Sequence, residues 1–433
     1  MEEATRKTAL HDWHVGQNAR MAVFAGYDMP LWYPQGAKAE HLAVIRSAGI
    51  FDTSHMSVIT VKGAGARPLL QFCFSRDLEQ CLGKKKGPLV KGRCTYGFFL
   101  NTEGHVIDDA IVYQFNPMAY LVVANAGMGS ELAAHLGRQT SDNRVEIVNL
   151  TGRIGKMDIQ GPAAARLVKE LIKDPDPFFD HLIYFSFKGS LGLPSEVNLL
   201  DGTPLIIART GYTGEFGFEL FIQPADFPKL WQKTVSAGQD FGALTCGLAA
   251  RDSLRVGAVL PLSHQDIGDW PFVANPWLFA LPWLENRSGF TKDFLGASAL
   301  LEQEAMEHTT EHTLPFAGYD PRKIVVDQNT AVTDLQGHVI GQVLTCATDM
   351  AIDRLDDGRI ISIATPITAG RPADFIPRGL CCGFIKVNCP LAVGEKVILT
   401  DRRRHLTVEI REDIRPDRTA RRPITEMLQG ERR

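Results

Sequence analysis

Apolar positions between residues 93 and 125 come in short runs broken by turn residues. RCTYGFFL (93–100), HVIDDAIVYQF (105–115) and AYLVVAN (119–125) read as strands, with NTEG and NPM as the turns of a β-meander. A second hairpin is predicted from PLIIAR (204–209) and FGFELFI (216–222), joined by TGYTGE, whose two glycines can supply positive φ. Helical spacing appears at 38–49, with Leu42, Ile45 and Arg46 on one side and Gly49 as the stop. Residues 129–137, 163–173, 227–239 and 245–257 also read as helices. From 324 onward KIVV, HVIGQVL, RIISIAT, CCGFIKV, EKVILT and HLTVEI form many short strands. That spacing predicts a small β-barrel or sandwich. A boundary falls at 305–320, where a helical run ends and GYDP follows. Two parts result, 1–310 and 311–433.

Length and charge narrow the function classes. The 433 residues correspond to roughly three domains at about 150 residues each. Lys and Arg total 46 against 50 Asp and Glu, a net charge of -4, so no global basic field exists for nucleic acid or an anionic membrane. No apolar run reaches the roughly 18 residues of a membrane span. The start, MEEATRKTAL, lacks the apolar stretch of a signal peptide, so a cytoplasmic location is expected. The eight cysteines are scattered without a CxxC pair, which suggests neither a zinc site nor a disulfide framework.

The chemistry-bearing residues stand out against apolar surroundings. Asp108 and Asp109 interrupt the strand VIDDAIVY. Strand alternation sends the two carboxylates to opposite faces. If one face is wet, one carboxylate is solvated and the other needs a partner or a function. Glu219 lies in FGFELFI, where a carboxylate can recognise an amidine-like group or simply face solvent. Arg251 and Arg255 share a helix face in GLAARDSLR, either as carboxylate binders or as part of a mixed-charge surface.

Other patterns are discounted. HTTEH (308–312) matches an inverted zinc-protease pattern, but two threonines weaken the helix it requires and no metal is expected. GKKKG (83–87) lacks the Ser or Thr of a phosphate loop. Neither a dinucleotide fingerprint nor a serine-hydrolase elbow is present. The stretch from Asp401 to Arg433 has ten Arg against seven acidic residues, a solvated rim or a site for a polyanionic small molecule.

A resemblance extends this reading. MAVFAGYDMPLWY (21–33), IFDTSHM (50–56), NTEGHVIDDAIVY (101–113), VVANAG (122–127), IQGP (159–162), RTGYTGEFGFE (209–219), CGLAARDSLR (246–255), PLSHQDI (261–267) and FTKDFLGASAL (290–300) occur in order. Together they resemble the aminomethyltransferase (T-protein) family of the glycine cleavage system and its tetrahydrofolate-dependent relatives. The resemblance implies an α+β fold of three lobes. Two interwoven α+β lobes would form a funnel for tetrahydrofolate, closed by a C-terminal β-barrel. It implies Asp109 as the catalytic aspartate and Glu219 as the pterin-binding glutamate. It also implies Tyr96, Tyr212, Asn125 and Arg251 as folate contacts, with a further arginine among Arg418, Arg421 and Arg422. No metal is implied. The implied reaction takes an aminomethyl group from a lipoyl carrier protein, releases ammonia and leaves 5,10-methylenetetrahydrofolate.

The sequence departs from the family at identifiable places. Extra residues lie near 186–203 and 350–380, Phe216 replaces a common Asp, PLSH stands for PLYG, and CATDMAIDR occupies the region of a missing Ser-Pro-Thr-Leu. Loop changes at a binding rim commonly alter substrates. An alternative is therefore a tetrahydrofolate-dependent demethylase or methyltransferase with a small methylated donor. A third possibility is a non-catalytic folate-binding factor like the iron–sulfur assembly relatives, whose KGC-Y-GQE motif is absent here.

Overall fold

The computed structural model describes residues 5–140, 144–305 and 311–429. After a two-stranded sheet of Arg20–Phe24 and Tyr27–Trp32, its two larger open sheets are interleaved along the chain. One sheet has the strand order Phe187–Gly189, Ile206–Ala208, Gly217–Ile222, Gly155–Gln160, Gly49–Asp52, Leu244–Thr245. The other has the order Arg93–Leu100, Val106–Asn116, Ala119–Ala124, Ser57–Lys62, Glu146–Asn149. The chain thus leaves the first sheet after Asp52, builds the second, and returns at Gly155. This is the interwoven α+β arrangement. The predicted meander forms the first three strands of the second sheet, and the 204–222 hairpin pairs Ala208 with Glu219.

The third body is a closed barrel of His312–Ala317, Leu380–Val387, Val339–Asp349, Ala331–Thr333, Lys396–Thr400 and His405–Ile410. Closure leaves no exposed edge, and the inward side chains Phe316, Val343, Ile385, Leu399 and Val408 fill the interior. KIVV is not a strand. Ile324 plugs the barrel core while Val325 faces solvent, so its apolar run reflects one anchor without a pairing partner. RIISIAT contributes Ile360–Ser362 to a separate hairpin with Ile352–Arg354. The strands at 312–317 and 331–333, which were not predicted, complete the barrel.

Helices cover the sheets. Ala164–Lys169 and Phe227–Gly238 bury Leu167, Val168, Leu230 and Trp231 against the first sheet. Gly49 does not stop the second helix, Ala37–Arg46, which ends at Ser47. It starts a strand, where an added Cβ would lie 2.4 Å from Val44 Cγ2. The glycine reflects close packing between helix and strand. After the barrel, the chain returns to the first lobe. There Thr419 Oγ1 accepts from the Phe216 amide at 2.9 Å and helix Ile424–Gln429 packs beside Ala164–Lys169. A core containing Phe98, Trp277, Phe294, Leu344 and Phe384 joins the second sheet to the barrel. Among the described residues no helix is long and apolar enough to cross a membrane.

Candidate functional site

A cavity of about 1260 Å³ opens where the two sheets, the helix Leu248–Gly257 and the barrel meet. Tyr96, Asp109, Asn125, Tyr212, Glu219 and Arg251 all line it. These residues come from five separate stretches of sequence, and only the interleaved topology brings them to one cavity.

Asp109 projects into the cavity from the middle of Val106–Asn116. Tyr96, on the neighbouring strand, donates its hydroxyl to Asp109 Oδ2 at 2.7 Å. Asn125 follows the third meander strand and donates its amide to Asp109 Oδ1. The same amide reaches Asp108 Oδ1 at 2.8 Å, and the Asn125 backbone N–H reaches Asp108 Oδ2 at 2.9 Å. The sheet has no wet face here: Asp108 is 0% and Asp109 9% exposed. The expectation that one carboxylate is solvated therefore fails, because other elements cover both faces of this central strand. Alternation still sorts the pair: Asp109 lines the cavity and Asp108 does not. Burial raises both carboxyls above the ordinary carboxylate range, and for Asp108 the neighbouring Asp109 charge adds to it. Hydrogen bonds from Tyr96 and Asn125 oppose that rise at Asp109.

Glu219 lines the same cavity from the first sheet, on the strand Gly217–Ile222. It is 6% exposed and does not face solvent. Its Oε2 accepts from Tyr113 at 3.1 Å and from the Thr210 hydroxyl. Its Oε1 accepts from Lys156 Nζ at 2.5 Å. Lys156 also donates to Asp158 Oδ1 at 2.8 Å, and Arg251 donates to Asp158 Oδ2 at 2.7 Å. Two cations and two carboxylates are thus joined in a buried, charge-balanced chain. Burial raises Asp158, but Lys156 and Arg251 outweigh it and hold its carboxyl below the ordinary range.

Arg251 stacks its guanidinium over Tyr212 at 5.1 Å, and the Tyr212 hydroxyl donates to the Pro261 carbonyl. Arg255 turns from the cavity network to Asp266 and Asp252, so neither arginine belongs to a mixed-charge surface. Two glycines make the TGYTGE turn before Glu219 possible, Gly214 alone through the expected positive φ and Gly211 through close approach. Gly214 has a φ of +78°, and a Cβ on Gly211 would lie 1.9 Å from Gln160 Oε1.

Several residues at the wall or behind it were not singled out in the sequence. Lys156 and Asp158 alternate within the apolar strand KMDI, a signal of two charges on one face. His55 lines the cavity beside Met56, and burial pushes it down to about 4, so its ring is neutral. Of the two extra segments, Met350 alone reaches the cavity wall. Phe216 is buried beneath the Arg209 guanidinium at 4.6 Å. Among the C-terminal arginines, Arg418 and Arg421 line the cavity. Arg418 is engaged by Asp413, Arg422 pairs with Glu426 at 2.9 Å, and Arg421 stacks on Tyr184 at 5.8 Å.

The HTTEH string falls partly outside the described residues. Within them, Glu311 pairs with Lys386 at 3.1 Å and His312 begins a barrel strand. Among the described residues no group of three or more His, Cys, Asp or Glu is placed to hold a metal ion.

Comparison with known proteins decides the family. The family model described as GCVT N-terminal domain matches residues 10–272. An aminomethyltransferase of Streptomyces avermitilis is 35% identical over 364 residues, covering 81% of this chain and 88% of the relative. The chain belongs to the aminomethyltransferase family. It is an enzyme of that family. An aminomethyltransferase of Thermus thermophilus is 36% identical over 319 residues, covering 72% of this chain and 82% of that protein. The solved glycine cleavage system aminomethyltransferase T from Bartonella henselae has the same fold. Its TM-score is 0.72 at 24% identity, over 94% of this chain and 97% of that one. This family's members therefore resemble the chain across both interwoven sheets, where the six predicted residues converge.

Proposed function

We propose that the cavity binds tetrahydrofolate and an aminomethyl-lipoyl arm together, and that the enzyme transfers the one-carbon unit to the folate with release of ammonia. The observation that carries this reading is the convergence of Asp109, Glu219, Tyr212 and Arg251 on one cavity. The donor and acceptor groups fit a folate. Glu219 supplies a carboxylate for the donor edge of a pterin. Tyr96 and Tyr212 supply aromatic faces. Arg421 is the C-terminal arginine proposed for the glutamyl carboxylates, because Arg418 and Arg422 are already engaged by Asp413 and Glu426. Tetrahydrofolate, when bound, supplies the amine that accepts the carbon.

The remaining work falls to this chain's residues. Asp109 is proposed as the catalytic carboxylate. Buried and raised, it can hold a proton nearer neutral pH than a surface aspartate, and when ionised it offsets positive charge forming beside it. Tyr96 and Asn125 fix its two oxygens, so its position costs no rearrangement during the reaction. Asn125 also spans the two aspartates and keeps them from repelling freely. Holding two reactants in one walled cavity supplies much of the acceleration. We propose residues 1–310 as the folate-binding part and 311–433 as the barrel part. The partner in this reading is a lipoyl carrier protein, and the setting is the cytoplasm.

The test is a reconstituted assay with aminomethylated lipoyl carrier protein and tetrahydrofolate. Rapid formation of both ammonia and 5,10-methylenetetrahydrofolate is expected. Tight tetrahydrofolate binding without either product would overturn the donor and favour a small methylated compound instead.

A further inference from the structure

We propose that Lys156 is a positioning residue that holds Glu219 as an ionised acceptor for the ligand, acting through a saturated set of three hydrogen bonds. This rests on the reading of the cavity as a tetrahydrofolate site and adds a residue to it.

Donor count fixes the lysine. An ammonium has three N–H donors. Lys156 Nζ lies 2.5 Å from Glu219 Oε1, 2.8 Å from Asp158 Oδ1 and 3.1 Å from Thr53 Oγ1. All three donors are used, so the ammonium has one orientation. The side chain is 1% exposed, where an unpaired ammonium would be costly. It stands on the strand next to that of Glu219, with Asp158 directly opposite Glu219 in the register. Sequence spacing therefore sets the geometry: Lys156 and Asp158 fall on the face that Glu219 shares.

Acceptor count gives the consequence. Each carboxylate oxygen offers about two lone-pair positions. Tyr113 and Thr210 fill those of Glu219 Oε2, and Lys156 takes one at Oε1. One acceptor position stays open, on the oxygen beside the ammonium. Glu219 thus accepts one donor from a ligand, or two if Thr210 or Tyr113 yields. The reading of Glu219 as the acceptor for the donor edge of a pterin is refined accordingly.

Charge explains why the site needs a lysine. Cys94 and Tyr113 face Glu219 from the second sheet, and burial first, then the Glu219 charge, pushes both well above their ordinary values. Both stay neutral and offer Glu219 no positive charge. Asp158 is negative, and the Arg251 guanidinium is engaged by it. Lys156 is the cation in direct contact with Glu219 among the described residues. Without it, a buried carboxylate beside Asp158 would take up a proton. A protonated Glu219 turns a donor toward the donor edge of the ligand.

The experiment measures tetrahydrofolate affinity by calorimetry on the full chain, from mildly acidic to mildly alkaline pH. The proteins are wild type, Lys156→Met, Lys156→Arg, Glu219→Gln and the Lys156→Met/Glu219→Gln double variant. Wild type should show a flat profile. Lys156→Met should bind about tenfold or more weakly at acidic pH and recover as pH rises, since deprotonation restores the acceptor. Lys156→Arg should keep the flat profile. The double variant, lacking both charges, should bind no more weakly than Glu219→Gln alone. This comparison serves if Lys156→Met does not fold. A folded Lys156→Met with wild-type affinity and a flat profile would overturn the proposal. So would a double variant much weaker than Glu219→Gln. Failure of wild type to bind tetrahydrofolate at any pH would instead overturn the reading of the cavity itself.

Discussion

Asp109 carries its charge where the surroundings resist it. Burial raises its carboxyl, while Tyr96 and Asn125 favour the ionised form. Replacing it with Asn removes the charge and keeps the shape. Asp109→Asn should hold tetrahydrofolate within about threefold of wild type while turnover falls by roughly 10²–10⁴. Paired calorimetry and single-turnover kinetics check this, and full activity would refute the catalytic role. The pH sign follows from the raised carboxyl. The ionised form fills as pH rises, so the wild-type rate should climb along an acidic limb displaced above the ordinary carboxylate range. The Asn variant should lack that limb. Glu219→Ala removes the acceptor for the pterin edge and should weaken binding by about 1–3 kcal/mol, and unchanged calorimetric affinity would contradict it. Asp109 and Glu219 were legible in the sequence because a charge inside an apolar strand is conspicuous. Lys156 carried the same signal in KMDI, but its partner at position 219 lies 63 residues away, and no local pattern shows that pairing.

At the scale of elements, Glu40 links three segments that frame the site. From the helix Ala37–Arg46 it accepts the Tyr33 N–H at 2.5 Å and the Gly247 N–H at 2.9 Å. The second bond anchors the start of the helix that carries Arg251. Burial pushes Glu40 up to about 7, although both backbone donors oppose it. Its folded-state value therefore lies above the ordinary 4.5. Between these values the folded protein binds more protons than the unfolded chain, so this contribution to stability declines as pH rises. The stability gap between wild type and Glu40→Gln should shrink from pH 4.5 to about 7 in denaturant titrations. A gap that widens would contradict the account. Elements with strong alternation or helical spacing were legible: the meander, the 204–222 hairpin and the helices at 227 and 248. Those set by distant packing were not. Gly49 resembles a helix stop only until Val44 and Cys246 are seen against it. KIVV resembles a strand, but Ile324 alone is drawn into the barrel.

The whole molecule depends on a buried polar junction between barrel and lobes. Asp349, on the barrel strand Val339–Asp349, lies 2.9 Å from His41 Nε2 and 2.6 Å from an Arg415 nitrogen. Arg415 in turn meets Glu215, the last residue of the TGYTGE turn, at 3.3 Å. Burial raises Asp349, but Arg415 and His41 outweigh it and hold it below the ordinary carboxylate range. Its contribution is present above the unfolded value and is lost on acidification. Asp349→Ala leaves Arg415 and His41 without this acceptor and should cost about 3–5 kcal/mol in denaturant unfolding. A loss under about 1 kcal/mol would show that the junction contributes little. The three-lobed plan followed from strings spread along the chain. The junction did not, because His41, Asp349 and Arg415 are ordinary residues in sequence and meet only after the barrel closes. The most direct test of the central claim is a crystal structure of the enzyme with tetrahydrofolate. The pterin edge should lie on Glu219, with the amine that accepts the carbon facing Asp109. Folate bound elsewhere, or with its pterin turned away from Glu219, would contradict it.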